Sequence, residues 1–347
     1  MKPRSRLRLQ LALVTFLLGL GVAEIGLRIA WRRKKAPNGH SWHDHDATLG
    51  WRNKKSFRVT VERTEQLPTI PAPFEVRLDA QGLRDDRDMA PEPSSGVTRI
   101  ACVGDSFTFG YCLPQEAAYP RKLEAALGPG RECWNWGVCA WGLDQFVLSL
   151  DEVLASRPRL VVLGVLDMSF RRATNANFQD GTAKPRFHLE GDALVLGNVP
   201  VPVIEAGQSY SRFEVRGPSY LVAGVERALE NLRVHLSSDP EAEAEDWRLG
   251  RALLREAARK CKARGVRLAV ALFPQERLME KDRYERLLPT LEPEGITVID
   301  LYPAFREPRG GDARPLFIPN EGHPSEAGAE LIARTLAAEI EKRRLLD

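Results

Sequence analysis

Arg99-Ile100-Ala101-Cys102-Val103, followed at once by Gly104-Asp105-Ser106-Phe107-Thr108-Phe109-Gly110, is the stretch whose reading decides the fold. The first five residues read as a short buried strand: few are polar, some are β-branched, and a glycine ends the run. The next seven read as a strand turning into a helix. A serine there has its hydroxyl at the carboxyl end of a sheet. Its amide lies among the unpaired N–H groups of a helix N-terminus, which favour negative charge. That suits a nucleophile whose substrate develops an oxyanion. It equally suits a helix N-cap, a frequent role of serine. These residues alone leave both roles open.

A second stretch lies near the C-terminus. Phe317-Ile318-Pro319-Asn320-Glu321-Gly322-His323-Pro324-Ser325-Glu326-Ala327-Gly328 precedes an amphipathic helical pattern from Ala329 to about Arg343. A histidine in a Gly/Pro loop, with a carboxylate two residues before it, reads as a general base and its orienting acid. The chain has six histidines, and a lone loop histidine is usually just solvated. With Ser106, however, the order Ser…Glu-x-His supplies nucleophile, acid and base.

At this point the chain resembles the SGNH (GDSL-type) hydrolase superfamily. Gly104-Asp105-Ser106-Phe107 is similar to its first block. Asn135-Trp136-Gly137-Val138-Cys139-Ala140-Trp141-Gly142 is similar to its second, Asn-x-Gly-x-x-Gly, whose first glycine donates a backbone N–H to the oxyanion. Glu321-Gly322-His323-Pro324 is similar to its fifth, in the Asp-x-His form of membrane-anchored and polysaccharide-modifying branches. The resemblance runs from about residue 45 to the C-terminus. It implies a flavodoxin-like three-layer α/β sandwich with a five-stranded parallel sheet. It also implies esterase or O-acyltransferase chemistry on an acylated carbohydrate or small ester, with no cofactor and no metal.

The chain departs from that pattern at two places. Where the family has Gly-x-Asn-Asp, its asparagine an oxyanion donor, this chain reads Gly164-Val165-Leu166-Asp167. Asp167 matches the aspartate, but leucine cannot donate a hydrogen bond. Loss of one oxyanion donor typically costs about 10²–10³ in rate. Asn135 is one candidate substitute. At the fifth block Glu321 replaces the usual aspartate, as in Ser-His-Glu variants. Asn320 is the other position for this role, but only as a neutral partner. A charged Glu321 better stabilises an imidazolium.

Composition sets further bounds. The 347 residues carry 50 Lys and Arg against 47 Asp and Glu, a formal net charge of +3, so nothing points to nucleic acid. The basic excess is local. Lys2, Arg4, Arg6 and Arg8 precede the apolar run from Leu9 to Ala23, and Arg32, Arg33, Lys34 and Lys35 follow it. At 15 residues that run fits a signal-peptide core. Ile25, Leu27, Ile29, Ala30 and Trp31 extend its apolar face toward the ~20 residues of a spanning helix. Glu24-Ile25-Gly26-Leu27-Arg28 resembles a Glu-x-x-x-Arg segment that follows uncleaved anchors in this branch. Residues 1–35 are therefore read as a retained signal anchor. Either reading puts the following domain outside the cytoplasm, in the periplasm of a two-membrane bacterium.

Residues 36–95 read as a membrane-proximal arm. His40-Ser41-Trp42-His43-Asp44-His45-Asp46 within it has metal-ligand residue types, but such spacing in a polar linker is more often solvated. Leu78-Asp79-Ala80-Gln81-Gly82-Leu83-Arg84 resembles an Asp-x-x-Gly-x-Arg segment common before the first strand in this branch. The five cysteines fit either redox compartment. Cys102 and Cys133 read as core strand residues, Cys261 as unpaired, and Cys112 and Cys139 as loop residues compatible with a disulfide.

Apolar strand patterns recur at 99–104, 132–136, 159–166, 266–273 and 296–301, with helical patterns near 114–127, 143–156, 246–264 and 277–291. The alternation argues a parallel sheet covered on both faces, within a domain spanning 96–347. Ligands in such sheets bind outside the carboxyl ends of the strands, where Ser106, Gly137 and Asp167 fall. An insertion at about 170–245 contains a hairpin around Glu190-Gly191-Asp192-Ala193, read as a cap beside the site, and a polar linker from Ser237 to Asp246. The loop 104–110 lacks the glycine spacing of a phosphate cradle, which argues against a nucleotide or flavin binder. The sequence-level alternative to an enzyme is a catalytically degenerate module that binds envelope glycan or a partner. Leu166 favours that alternative, and the retained Ser106, Gly137 and His323 oppose it.

Overall fold

Five strands carry the site: β6 (Thr98–Gly104), β7 (Arg131–Gly137), β8 (Leu160–Val165), β12 (Arg267–Leu272) and β13 (Thr297–Asp300), all parallel, in the spatial order β13-β12-β8-β6-β7. A computed structural model describes residues 3–35, 41–63, 70, 73–211, 217–236, 245–279, 284–306 and 313–347. In chain order the remaining elements begin with α1 (Pro3–Trp31), β1 (Arg32–Lys34), β2 (His43–Asp46), β3 (Gly50–Asn53), β4 (Phe57–Val61) and β5 (Phe74–Leu78). The sheet strands then alternate with α2 (Ser106–Phe109), α3 (Tyr119–Leu127), α4 (Leu143–Ala155) and α5 (Asp167–Ala173). The insertion holds β9 (Arg186–Glu190), β10 (Ala193–Gly197), β11 (Ser209–Ser211) and α6 (Tyr220–Leu236). The C-terminal part adds α7 (Glu245–Ala263), α8 (Tyr284–Leu287), α9 (Tyr302–Arg306) and α10 (Glu326–Lys342).

The alternation of side chains along each strand divides the core in two. Ile100, Cys102, Leu160, Val162, Ala269 and Ala271 face α3 and α10. Ala101, Val103, Val161, Leu163, Val270 and Leu272 face α4 and α7. Both faces are covered, so every strand is apolar along its length, the expected signature of a buried parallel sheet. The helical pattern at 277–291 is broken into 3₁₀ turns and the short α8. Pro289 and Pro293 lie in the 3₁₀ stretch Leu288–Glu294, where proline cannot extend an α-helix.

The arm carries strands of its own. β2 pairs with β3 and β4 with β5 in two antiparallel hairpins, and their apolar residues enter the core. Trp42 stacks on Phe109 with ring centroids 5.7 Å apart. Trp51 Nε1 donates to the Cys139 carbonyl and Trp141 Nε1 to the Trp51 carbonyl, each at 2.9 Å. In the His/Asp cluster, Asp46 accepts the Thr48 and Leu49 amides and pairs with Arg52, while His40 lies outside the described residues.

The insertion hairpin β9–β10 packs Phe187 into the apolar cluster of α4 and α7. It covers that helical face, whereas a cap beside the site is the sequence expectation. Its apolar side chains find their partners on the α4/α7 layer. The buried Lys184 ammonium pairs with Asp144 in the first turn of α4 and donates to the Asn175 and Pro185 carbonyls. The polar run 237–244 lies outside the described residues. All five cysteines are free, buried thiols, so Cys112 and Cys139 are not bridged. Helix α1 includes a 26-residue stretch, Arg6–Trp31, that is long and apolar enough to cross a membrane and has none of its apolar window buried.

Candidate active site

The chain turns from β6 into α2 at Asp105, whose carboxylate caps the short helix by accepting the Phe107 amide at 3.0 Å. Gly104 and Gly137, paired across β6 and β7, let the turn close. A Cβ at Gly137 would stand 2.2 Å from the Phe109 amide nitrogen, so the second strand needs glycine to approach α2. Ser106 opens α2, and its side chain projects from the carboxyl end of the sheet, only 8% exposed.

The histidine arrives on a self-contained loop. Ile318 N donates to the His323 carbonyl, Glu321 N and Gly322 N to the Ile318 carbonyl, and Ser325 N to the Leu316 carbonyl. Asn320 and Gly322 both adopt left-handed backbone, at φ of 64° and 80°. Ser325 then caps α10 through the Gly328 amide. Gly328 is required there, because a Cβ would stand 2.1 Å from the Leu316 carbonyl oxygen.

These two constructions bring together residues 217 positions apart. His323 Nε2 lies 2.8 Å from Ser106 Oγ, within hydrogen-bond range. On the other side of the ring, His323 Nδ1 contacts a Glu321 carboxylate oxygen, which also accepts the His323 amide at 3.2 Å. The rings of Phe107 and Tyr111 flank the imidazole, with centroids 5.1 and 5.0 Å away. The exposed Asn320 makes no contact with His323 among those described. The Ser106 hydroxyl, the His323 imidazole and the Glu321 carboxylate therefore form one hydrogen-bonded line. The crevice beside it is narrow, lined by Ser106, Phe107, Tyr111, Pro324 and Ile332 among others. Burial pushes the Tyr111 phenol well above its ordinary range, so it stays protonated beside the imidazole.

The other sequence-selected residues are placed differently. The Gly137 amide is already donated, at 2.9 Å, to the Asn135 side-chain carbonyl. The Asn135 amide group in turn donates to the Phe109 carbonyl at 3.2 Å, and Asn135 is buried. These two residues hold each other and the α2 turn instead of pointing donors at Ser106. An asparagine two residues before a glycine at a strand end can always make this bond, so the sequence expectation counted the donor but not its local acceptor. Leu166 is fully buried in the same apolar cluster as Phe107 and Phe273. Asp167 begins α5 and pairs with Arg171. Of the expected oxyanion donors, the Ser106 amide is the one with no acceptor among the described residues.

Two arginines assigned no role in the site from sequence support the turn that carries Ser106. Arg84 is buried, donates to the carbonyls of Phe109 (2.7 Å), Gly110 and Leu113, and lies 4.7 Å from the Phe109 ring centre. No carboxylate among the described residues forms an ion pair with it, and burial pushes its guanidinium down to about 10. Arg172 of α5 donates to Asp105 at 2.8 Å and to the Trp141 carbonyl at 3.1 Å. The Asp-x-x-Gly-x-Arg segment was the available signal for Arg84. Nothing local marks Arg172, which meets Asp105 from 67 positions away.

Residues 234–347, about a third of the chain including His323, match the family described as SGNH hydrolase-like domain, acetyltransferase AlgX. No curated protein sequence matches the chain. Among solved structures, a G-D-S-L family protein of Desulfitobacterium hafniense has 15% identity and a TM-score of 0.41, covering 70% of this chain and 98% of its own. A GDSL-like lipase of Bacteroides thetaiotaomicron has 12% identity and a TM-score of 0.39, covering 72% and 91%. A variant of a Geobacillus acetyl-xylooligosaccharide esterase has 17% identity and a TM-score of 0.41, covering 70% and 94%. Residues 234–347, the segment that carries Glu321 and His323, are thus similar to an SGNH hydrolase-like domain.

Proposed function

We propose that this chain is a serine-dependent ester hydrolase or O-acyltransferase acting on an acylated carbohydrate. The observation that carries the proposal is the 2.8 Å contact between Ser106 Oγ and His323 Nε2, continued through Nδ1 to Glu321. Ser106 Oγ attacks the ester carbonyl while His323 takes its proton. The carbon–oxygen bond of the ester breaks, and the imidazolium returns the proton to the leaving alkoxide. Water or a sugar hydroxyl then attacks the acyl-enzyme, loses its proton to His323 and releases Ser106, which recovers its own. Glu321 fixes the ring orientation and stabilises the imidazolium. The Ser106 amide receives the oxyanion. The match to a family described by an acetyltransferase supports acetyl as the acyl group, and the narrow crevice supports a short one.

The same proposal places α1 across the membrane and the domain on its outer side. The basic residues before and after the apolar run support an exported anchor. A reporter joined after Asp347 is expected to work only outside the cytoplasm; activity confined to the cytoplasm reverses the orientation.

A second reading keeps its place because of one observation: the Gly137 amide is spent on Asn135, and Leu166 supplies no donor. A site with so few oxyanion donors suits a glycan-binding module. Purified full-length protein assayed on a short activated acetyl ester separates the two. Hydrolysis that falls by about 10³ or more in Ser106→Ala supports the enzyme. Equal inertness of both proteins, with both binding envelope polysaccharide, selects the binding module.

A further inference from the structure

Helix α6 carries a second apolar surface that its own fold does not cover. Val222, Val225, Leu229 and Leu232 are 51%, 50%, 59% and 51% exposed. Their spacing of three, four and three residues puts them on one stripe of the helix. The opposite side faces α1: Gly224 lies where a Cβ would stand 3.4 Å from Leu27 and 3.7 Å from Trp31. The stripe therefore points away from α1.

Where α6 begins is fixed by α1. The Glu24 carboxylate accepts the Ser219 hydroxyl at 2.9 Å, the Tyr220 amide at 3.0 Å and the Leu221 amide at 2.7 Å, capping the helix from another element. Arg28 pairs with Glu24 and lies 4.8 Å from the Tyr220 ring centre. Twenty residues cover the ~30 Å of a hydrocarbon core, so a span starting at Leu9 leaves at Arg28. Arg28 and Trp31 then sit at the membrane boundary with Glu24 about one turn inside it, and the first turn of α6, held by Glu24, lies at that level. The next element, β1, pairs with β11 of the insertion and exposes Arg32, Arg33 and Lys34 at the same level. Cations and an apolar stripe beside a span are the two components of an interfacial contact with lipid.

We infer that α6 lies in the membrane interface, with the 222/225/229/232 stripe among the acyl chains and the β1 cations on anionic headgroups. This inference rests on the reading that α1 spans the membrane. It adds a second contact, which holds the insertion and the catalytic domain at a set orientation over the bilayer. A single flexible anchor would not do so.

The test uses the full chain, reconstituted in vesicles of equal parts phosphatidylcholine and phosphatidylglycerol. An environment-sensitive fluorophore is attached in turn to Leu229→Cys, Leu13→Cys and Glu341→Cys. The five native thiols are buried, and burial raises those of Cys112, Cys139 and Cys261, so they compete poorly for label. Nitroxide-bearing lipid is expected to remove most of the fluorescence at Leu229, and aqueous iodide little of it. The Glu341 label should behave oppositely. Iodide quenching at Leu229 equal to that at Glu341 overturns the inference. Shielding from iodide without quenching by lipid overturns it too, because protein would then cover the stripe. The Leu13 label reads the anchor separately: lipid quenching absent there, but present at Leu229, ends the spanning reading and leaves α6 on the membrane.

Discussion

The loop that carries Ser106 and the loop that carries His323 meet at 2.8 Å, yet they are built in opposite ways. The histidine loop is local: the hydrogen bonds that shape it run between Pro315 and Gly328, within 14 consecutive residues. The serine loop is held from afar, by Arg84 and Trp42 of the arm, Asn135 of β7 and Arg172 of α5. A base must only present a ring, and a short closed loop can do that. A nucleophile must lie at a fixed distance from base, oxyanion donor and substrate at once, which takes support from several directions. Changes in the first loop should therefore affect rate with little effect on stability. Changes around the second should affect both.

The largest effect tests the local loop. His323→Ala should lower ester turnover by about 10³-fold or more, with the melting temperature nearly unchanged. A large drop in melting temperature would show that the loop is not self-contained. Next is Arg84→Met, which leaves three carbonyls without their donor. Thermal or denaturant unfolding should show a loss of about 3 kcal/mol, accompanied by a fall in turnover. Turnover falling with stability intact would reduce Arg84 to a purely local contact.

Leu166→Asn sharpens the comparison further. The residue is fully buried among apolar neighbours, so the amide should cost about 2–3 kcal/mol in unfolding experiments. A gain in turnover despite that cost would mean that the missing donor limits the reaction. Asn320→Ala is the smallest. It should cost at most about 1 kcal/mol through its left-handed backbone and leave turnover within about twofold. Glu321→Gln should reduce turnover more than Asn320→Ala does; the reverse order transfers the acid's role to Asn320.

The same contrast explains what could be read in the sequence. The five sheet strands follow from short apolar runs, each buried on both faces, and each runs within a residue or two of its pattern. The Glu-x-His unit is legible because its contacts are two residues apart. The oxyanion donors were misjudged because an amide's value depends on whether a neighbour accepts it, and Asn135 does so for Gly137. The packing role of the arm was not legible because its Pro-rich, charged composition masks the few residues that do the packing. Trp42, Trp51, Asn53 and Arg84 have side-chain partners 25 to 88 positions away, beyond the reach of any local pattern.

Arg84 also constrains how the protein is made. Residues 41–89 leave the ribosome before any strand of the central sheet. The acceptors of Arg84 follow 25 to 29 residues later, and the Gly137 and Cys139 carbonyls that receive Asn53 and Trp51 come later still. The contacts of the arm with the sheet domain must therefore wait until β6, α2 and β7 have been synthesised, and these non-local contacts form late. The arm is then the last piece to close over the serine, even though it is among the first to emerge.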